Sequence, residues 1–115
     1  MTLTMYGIRN CDTVKKARTA LEERGVAYTF HDFKSAGIER SKLEDWAKRA
    51  GWERVLNRNG LTFKRLADKD KEGLNQDKAI ALMMAQPSMI KRPVLETPDG
   101  NIIFGFQRDA YAELK

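Results

Sequence analysis

One cysteine, Cys11, and one histidine, His31, are all that 115 residues supply of these two types. A single cysteine closes no disulfide within the chain, and one Cys with one His makes no zinc cluster of ordinary spacing. No metal is therefore expected, and a reduced, cytoplasmic setting is. Long hydrophobic runs are also missing. Nothing approaches the ~20 apolar residues that span a bilayer. The opening "MTLTMYG" leads no basic segment into a long apolar one, so neither a membrane segment nor a secretory signal is expected. Charge of one sign is not gathered anywhere. The 21 basic and 16 acidic residues leave a net +5, but they alternate in "LEERG", "RSKLEDWAKR" and "KRLADKDKEG". Such mixing is typical of solvated helix faces, and no aromatic-plus-basic RNA motif accompanies it, so direct nucleic-acid binding is not expected.

What is present fits one compact domain over residues 1–115, long enough to bury a core without staples. Residues 2–8, "TLTMYGI", are apolar and β-leaning, which predicts a strand buried on both faces. After Cys11 the period changes. Val14, Ala17 and Leu21 recur at helical spacing, and Gly25 supplies a stop. "VAYTFHDF" then alternates, with Val26, Tyr28 and Phe30 on one face of a second strand. Strand, helix, strand in the first 33 residues is a βαβ unit with parallel strands.

From about 39 to 90 the pattern is all helix and turn. Ser41, with Glu44 three residues on, predicts a capping box for a helix carrying Leu43, Trp46, Ala47 and Ala50, and Gly51 ends it. Asn75 predicts the cap of a helix bearing Ile80, Met83 and Met84, which Pro87 terminates. Trp46 and Trp52 read as core. Two short apolar runs then flank "TPDG", a turn sequence that predicts a hairpin. "QRDAYAELK" predicts a last short helix with Ala110 and Leu114 facing inward.

Cys11 falls where the first strand hands over to the first helix. A buried free cysteine often only fills core, but unpaired N–H groups at a helix start favour a thiolate. Both readings stand on the sequence. Lys15, at i+4, would share a helical face with Cys11 if both were helical, and is otherwise a solvated lysine. Asn10 and Thr13 flank the thiol, as ligand contacts or as parts of a helix cap. His31 reads as a surface or satisfied histidine following the second strand.

The order β-α-β, helices, β-β-α, with a cysteine at the first junction and an X-Pro before the hairpin, resembles the thioredoxin fold with a helical insertion. "YGIRNCDTVKKAR", "RPVLETPDG" and "IIFGFQRDAY" together resemble the ArsC/Spx (arsenate reductase-like) family, most closely its YffB-type members. The resemblance spans essentially the whole chain. It implies that Cys11 is the reactive cysteine, that Arg92-Pro93 is the family's Arg-cis-Pro pair, and that Arg58 of "LNRNG" lines the thiol site. A bound peptide would then pair with the exposed Arg92 backbone as a short β-ladder. Gly105 stands where the arsenate reductases have a third arginine, and Gly7 where they have a histidine, so efficient arsenate reduction is not expected. Val14 replaces the second cysteine of the Spx switch, while Gly51 matches the glycine of the Spx contact with RNA polymerase.

Three functions follow as alternatives. The first is a glutathione-dependent thiol reductase acting on a small or protein disulfide, with Arg58, Arg92, Lys15, Asn10, Thr13 and Pro93 around Cys11 and glutathione as co-substrate. The second is an Spx-like regulator that binds RNA polymerase without a redox switch. The third is a domain whose thiol does nothing.

Overall fold

The computed structural model describes residues 3–114 and divides the chain into two compact units, residues 1–36 with 92–115 and residues 37–91. In the first unit β1 (Leu3–Gly7) lies inside a four-stranded sheet of order β2-β1-β3-β4. It pairs in parallel with β2 (Tyr28–Asp32) and antiparallel with β3 (Val94–Glu96), which pairs antiparallel with β4 (Ile102–Phe104). Parallel strands need a crossover, and α1 (Asp12–Glu23) supplies it. The sheet is the mixed α/β arrangement expected from the sequence.

Helix α1 ends as its glycine predicts. Gly25 adopts φ +69°. Its N–H donates to the Glu22 carbonyl at 3.1 Å, and the Val26 N–H to the Leu21 carbonyl at 3.0 Å. This pair of bonds is a Schellman closure, which satisfies carbonyls the helix leaves open. Val14, Ala17 and Leu21 of α1 pack with Leu3, Met5, Val26, Leu95 and Tyr111 as one buried cluster.

The expectation that β1 is buried on both faces is corrected. Leu3, Met5 and Gly7 are buried, but Thr4 and Tyr6 are only half-buried. The Tyr6 hydroxyl donates to Glu96 Oε1 at 3.1 Å, so that face carries polar work. His31 lies within β2 rather than after it, opposite Tyr6, with ring centroids 5.2 Å apart.

At the other edge the hairpin turn is as predicted. Gly100 takes φ +90° and its N–H donates to the Thr97 carbonyl at 3.0 Å. The Thr97 hydroxyl bonds the Asp99 carboxylate and, with the Asn101 N–H, holds that carboxyl below its usual range.

The last helix, α7 (Arg108–Ala112), packs on α1 through a residue the pattern did not single out. Tyr111 is 1% exposed, while Ala110 and Leu114 are only half-buried. The Tyr111 hydroxyl has no hydrogen-bond partner, and burial pushes its ionisation well above the ordinary phenol value. An unsatisfied buried hydroxyl costs roughly 1–3 kcal/mol, so Tyr111→Phe is expected to raise the denaturant midpoint. The folded phenol holds its proton where the unfolded one, with a pKa of about 10, releases it. Its contribution to stability is therefore complete below that pH and falls as pH rises above it. Urea unfolding of both proteins across the alkaline range checks this. The variant should lose part of the alkaline sensitivity and retain the part from Tyr28, whose hydroxyl is also raised, chiefly by desolvation.

The second unit is helical, matching the block expected at about 39–90. Helix α2 (Arg40–Ala50) packs on α3 (Trp52–Val55) and α6 (Gln76–Ala85), burying Leu43, Trp46, Ala47, Val55, Ile80 and Met83. Two one-turn helices, α4 (Leu61–Lys64) and α5 (Asp68–Lys71), lie between. The Asn75 side chain accepts the Lys78 N–H at 2.9 Å, the cap predicted for α6. Pro87 opens a 3₁₀ turn, Pro87–Met89, just after that helix.

Three expectations for this unit are corrected. Glu39, not Ser41, is the N-cap of α2, and no side chain caps it. Ser41 lies inside the first turn, its hydroxyl 3.4 Å from Glu39 Oε2. Met84 is exposed, and Trp52 is half-buried with the Arg58 guanidinium over its ring at 5.8 Å.

Candidate functional site

Cys11 is the N-cap of α1, with extended backbone at φ −133° and ψ 122°. Only four residues separate the helix from the end of β1, so the thiol is held at the carboxyl end of that strand. It is half-exposed: it packs against the core cluster on one side and reaches solvent on the other. Its own carbonyl accepts the Lys15 N–H at 2.9 Å, which starts the helix. The N–H groups of Asp12, Thr13 and Val14 precede the first helical bond and have no carbonyl above them.

The register of the sheet brings Arg92-Pro93 to the same end. Tyr6 pairs with Val94, so the residues entering β3 lie beside those leaving β1. The Arg92–Pro93 bond is cis. Among the described residues the Arg92 N–H and C=O take no backbone partner, while the Pro93 carbonyl accepts the Gly105 N–H at 2.8 Å. Pro93 and Gly105 are buried and Arg92 is half-buried. A half-exposed thiol and an open stretch of backbone therefore share one end of the two central strands.

The remaining predicted residues are placed as follows. Asn10 and Thr13 are exposed, and neither side chain caps α1. Lys15 is exposed too. Cys11 is extended rather than helical, so the link between them is the backbone bond and not a shared helical face. Arg58 belongs to the second unit, exposed on the turn that follows the Leu56–Ile90 bridge. Among the described residues no group of His, Cys, Asp and Glu could hold a metal ion, and no helix is long and apolar enough to cross a membrane.

Glycines stand at three positions that the family resemblance singles out, 7, 51 and 105. A Cβ on Gly7 would lie 2.9 Å from Val14 Cγ2 and 3.3 Å from Cγ1. Val14 is fully buried, so the strand and α1 meet too closely for a histidine at position 7. Gly105 has φ +77° and Gly51 φ +92°, conformations that side chains with a Cβ rarely adopt. The backbone alone explains the glycine at 51. Sequence reasoning had no means of seeing the contact at Gly7, because nothing local marks a strand that a helix touches.

The βαβ–ββα sheet, with a thiol at its first strand–helix junction and a cis-proline before the hairpin, defines a thioredoxin-like fold. Within that class the chain belongs to the ArsC family, whose family model matches residues 6–114. A solved structure named YffB protein is 55% identical, covering 98% of each chain with a TM-score of 0.94. An arsenate reductase (ArsC) related protein from Brucella melitensis is 47% identical over 99% of this chain and 97% of its own, with a TM-score of 0.80. The global transcriptional regulator Spx of Listeria innocua is 22% identical over 81% of this chain and 72% of its own.

Proposed function

We propose that this protein is a cytoplasmic, glutathione-dependent thiol–disulfide reductase that works with one cysteine. The observation that carries the reading is Cys11 half-exposed at the N-cap of α1, at the same end of the central strands β1 and β3 as the unpaired Arg92 backbone. The free N–H groups of the first helical turn lie beside the thiol. The Cys11 thiolate attacks one sulfur of a substrate disulfide. A new S–S bond forms to Cys11, the old one breaks, and the other sulfur leaves as a thiolate and takes a proton from water.

With no second cysteine, the mixed disulfide is cleared by an external thiolate. Glutathione attacks the substrate sulfur, releases Cys11 and forms a substrate–glutathione disulfide. A second glutathione cleaves that one. The substrate disulfide gains two electrons and ends as two thiols, and two glutathiones end as one oxidised molecule. In this reading Arg92 and Lys15, both of the first unit, supply positive charge for the two glutathione carboxylates. Asn10 and Thr13 contribute polar contacts, and Pro93 presents the Arg92 backbone to the peptide.

Steady-state reduction of a small disulfide, coupled to consumption of reduced glutathione, tests the reading. Turnover is expected in the wild type and not in Cys11→Ser. Activity that survives in Cys11→Ser, or none in either protein, overturns it.

Arsenate is expected to turn over poorly. By the resemblance, Gly105 takes the place of an arginine of the arsenate reductases, and one lost donor to a developing anion costs about 10²-fold or more. Gly105→Arg should not restore the reaction, because φ +77° disfavours any side chain with a Cβ. Arsenate-dependent glutathione oxidation by both proteins checks this. Rapid turnover in the wild type would mean that another cation serves the anion.

A second reading, a constitutive adaptor for RNA polymerase, draws on the similarity to Spx. Pull-down of RNA polymerase by the purified protein separates it from the first. Retention of the polymerase by the wild type and by Cys11→Ser alike, without disulfide reduction, would favour the adaptor.

A further inference from the structure

The outer side of α1 carries a feature that the thiol chemistry draws on only through Lys15. A cleft of about 390 Å³ runs beside the helix, lined by Lys15, Lys16, Thr19, Ala20 and Glu23 of α1 together with Phe106 and Arg108. This volume falls in the range of ligand sites. All the lining residues belong to the first unit, and α7 packs on α1 there.

The chemistry of the walls is asymmetric. Lys15, Lys16 and Arg108 have no ion-pair partner among the described residues, although carboxylates are plentiful in the chain. The floor is apolar. Ala20 and Phe106 are half-buried against the core cluster, and Phe106 is held edge-on to Tyr111, with centroids 5.0 Å apart at 88°. Glu23 alone is acidic, at the far end of the helix. From Lys15 to Glu23 the helix rises about 12 Å, the length of three to four residues of extended peptide. The near end begins one turn from Cys11, whose carbonyl holds the Lys15 N–H.

We propose that this cleft binds an extended, acidic segment of a protein substrate with an apolar side chain on Phe106, and so delivers that protein's disulfide to Cys11. The inference rests on the reductase reading and names its substrate class as an acidic protein. Three unneutralised cations offer charge complementarity, which speeds encounter and rejects basic partners. The Phe106–Ala20 floor supplies the apolar anchor that a purely electrostatic contact lacks. Glu23 sets polarity, because it repels a further acidic residue at the distal end.

The test separates binding from chemistry by using Cys11→Ser, which has no thiol to exchange. Two short fluorescent peptides are compared by anisotropy, one rich in Glu with a central Phe, the other with Lys in place of each Glu. The acidic peptide is expected to bind at least about tenfold more tightly, a difference of about 1.4 kcal/mol, and more weakly as salt is raised. Adding Lys16→Glu and Arg108→Glu should lower its affinity by about tenfold or more, and Glu23→Lys should raise it. Equal affinities for the two peptides, no binding of either, or indifference to these substitutions overturns the proposal. Complete displacement by millimolar glutathione also overturns it, by assigning the cleft to the tripeptide. The reductase reading stands or falls separately, on turnover by the wild type.

Discussion

Treated with oxidised glutathione under native conditions, the protein is expected to take up one glutathione at Cys11 and to keep it. A dithiol enzyme loses such an adduct to its own second cysteine. Here position 14 is a fully buried valine and no other thiol exists in the chain. The adduct is therefore released only by an added thiol, since exchange requires an attacking thiolate. Intact mass should show one stoichiometric adduct on the wild type, none on Cys11→Ser, and full reversal on adding reduced glutathione. Cys11→Ser should unfold at nearly the wild-type denaturant concentration, because the half-exposed site tolerates a smaller, more polar atom. Uptake only after unfolding would show that Cys11 is packing and that the reaction proposed above has no first step.

Placing at position 7 the histidine that the resemblance assigns to the arsenate reductases is expected to be among the most damaging single changes to stability. Even Gly7→Ala sets a Cβ 2.9 Å from Val14 Cγ2 and 3.5 Å from Phe30 Cε1. Overpacking of this kind costs about 1–3 kcal/mol, and a histidine adds a polar ring to the same space. The Val14 methyls are the obstacle, so Val14→Ala should relieve part of the Gly7→Ala penalty. Each single substitution should destabilise, and the double variant should be more stable than their sum predicts, a coupling typical of residues in contact. Urea unfolding of the four proteins measures it. Strict additivity would show that the Gly7→Ala penalty does not arise at the Val14 methyls.

Local signals in the sequence were enough for the elements whose cause is local. Gly25 stops α1 because its φ is positive, Asn75 caps α6 with its own side chain, and Thr97–Gly100 turns because a glycine ends it. The place of Cys11 follows likewise from a change of hydrophobic period, and the identity of Arg92-Pro93 from resemblance to the family.

Tertiary packing decided the rest. Ser41 and Glu44 have the spacing of a capping box, yet the helix begins one residue earlier than Ser41. Single-turn preferences are worth about 1 kcal/mol, less than the burial of Leu43 and Trp46 that sets where α2 lies. Tyr111, rather than Ala110 or Leu114, fills the core where α7 packs on α1, a contact that no sequence period specifies. The absence of a histidine at position 7 has its reason only in the distance to Val14, and the cationic cleft exists only once α7 lies against α1. Residue type and spacing fix what a segment can do locally. Which side chains share a wall depends on contacts between residues far apart in the chain, and those are settled only when the sheet and its helices close on one core.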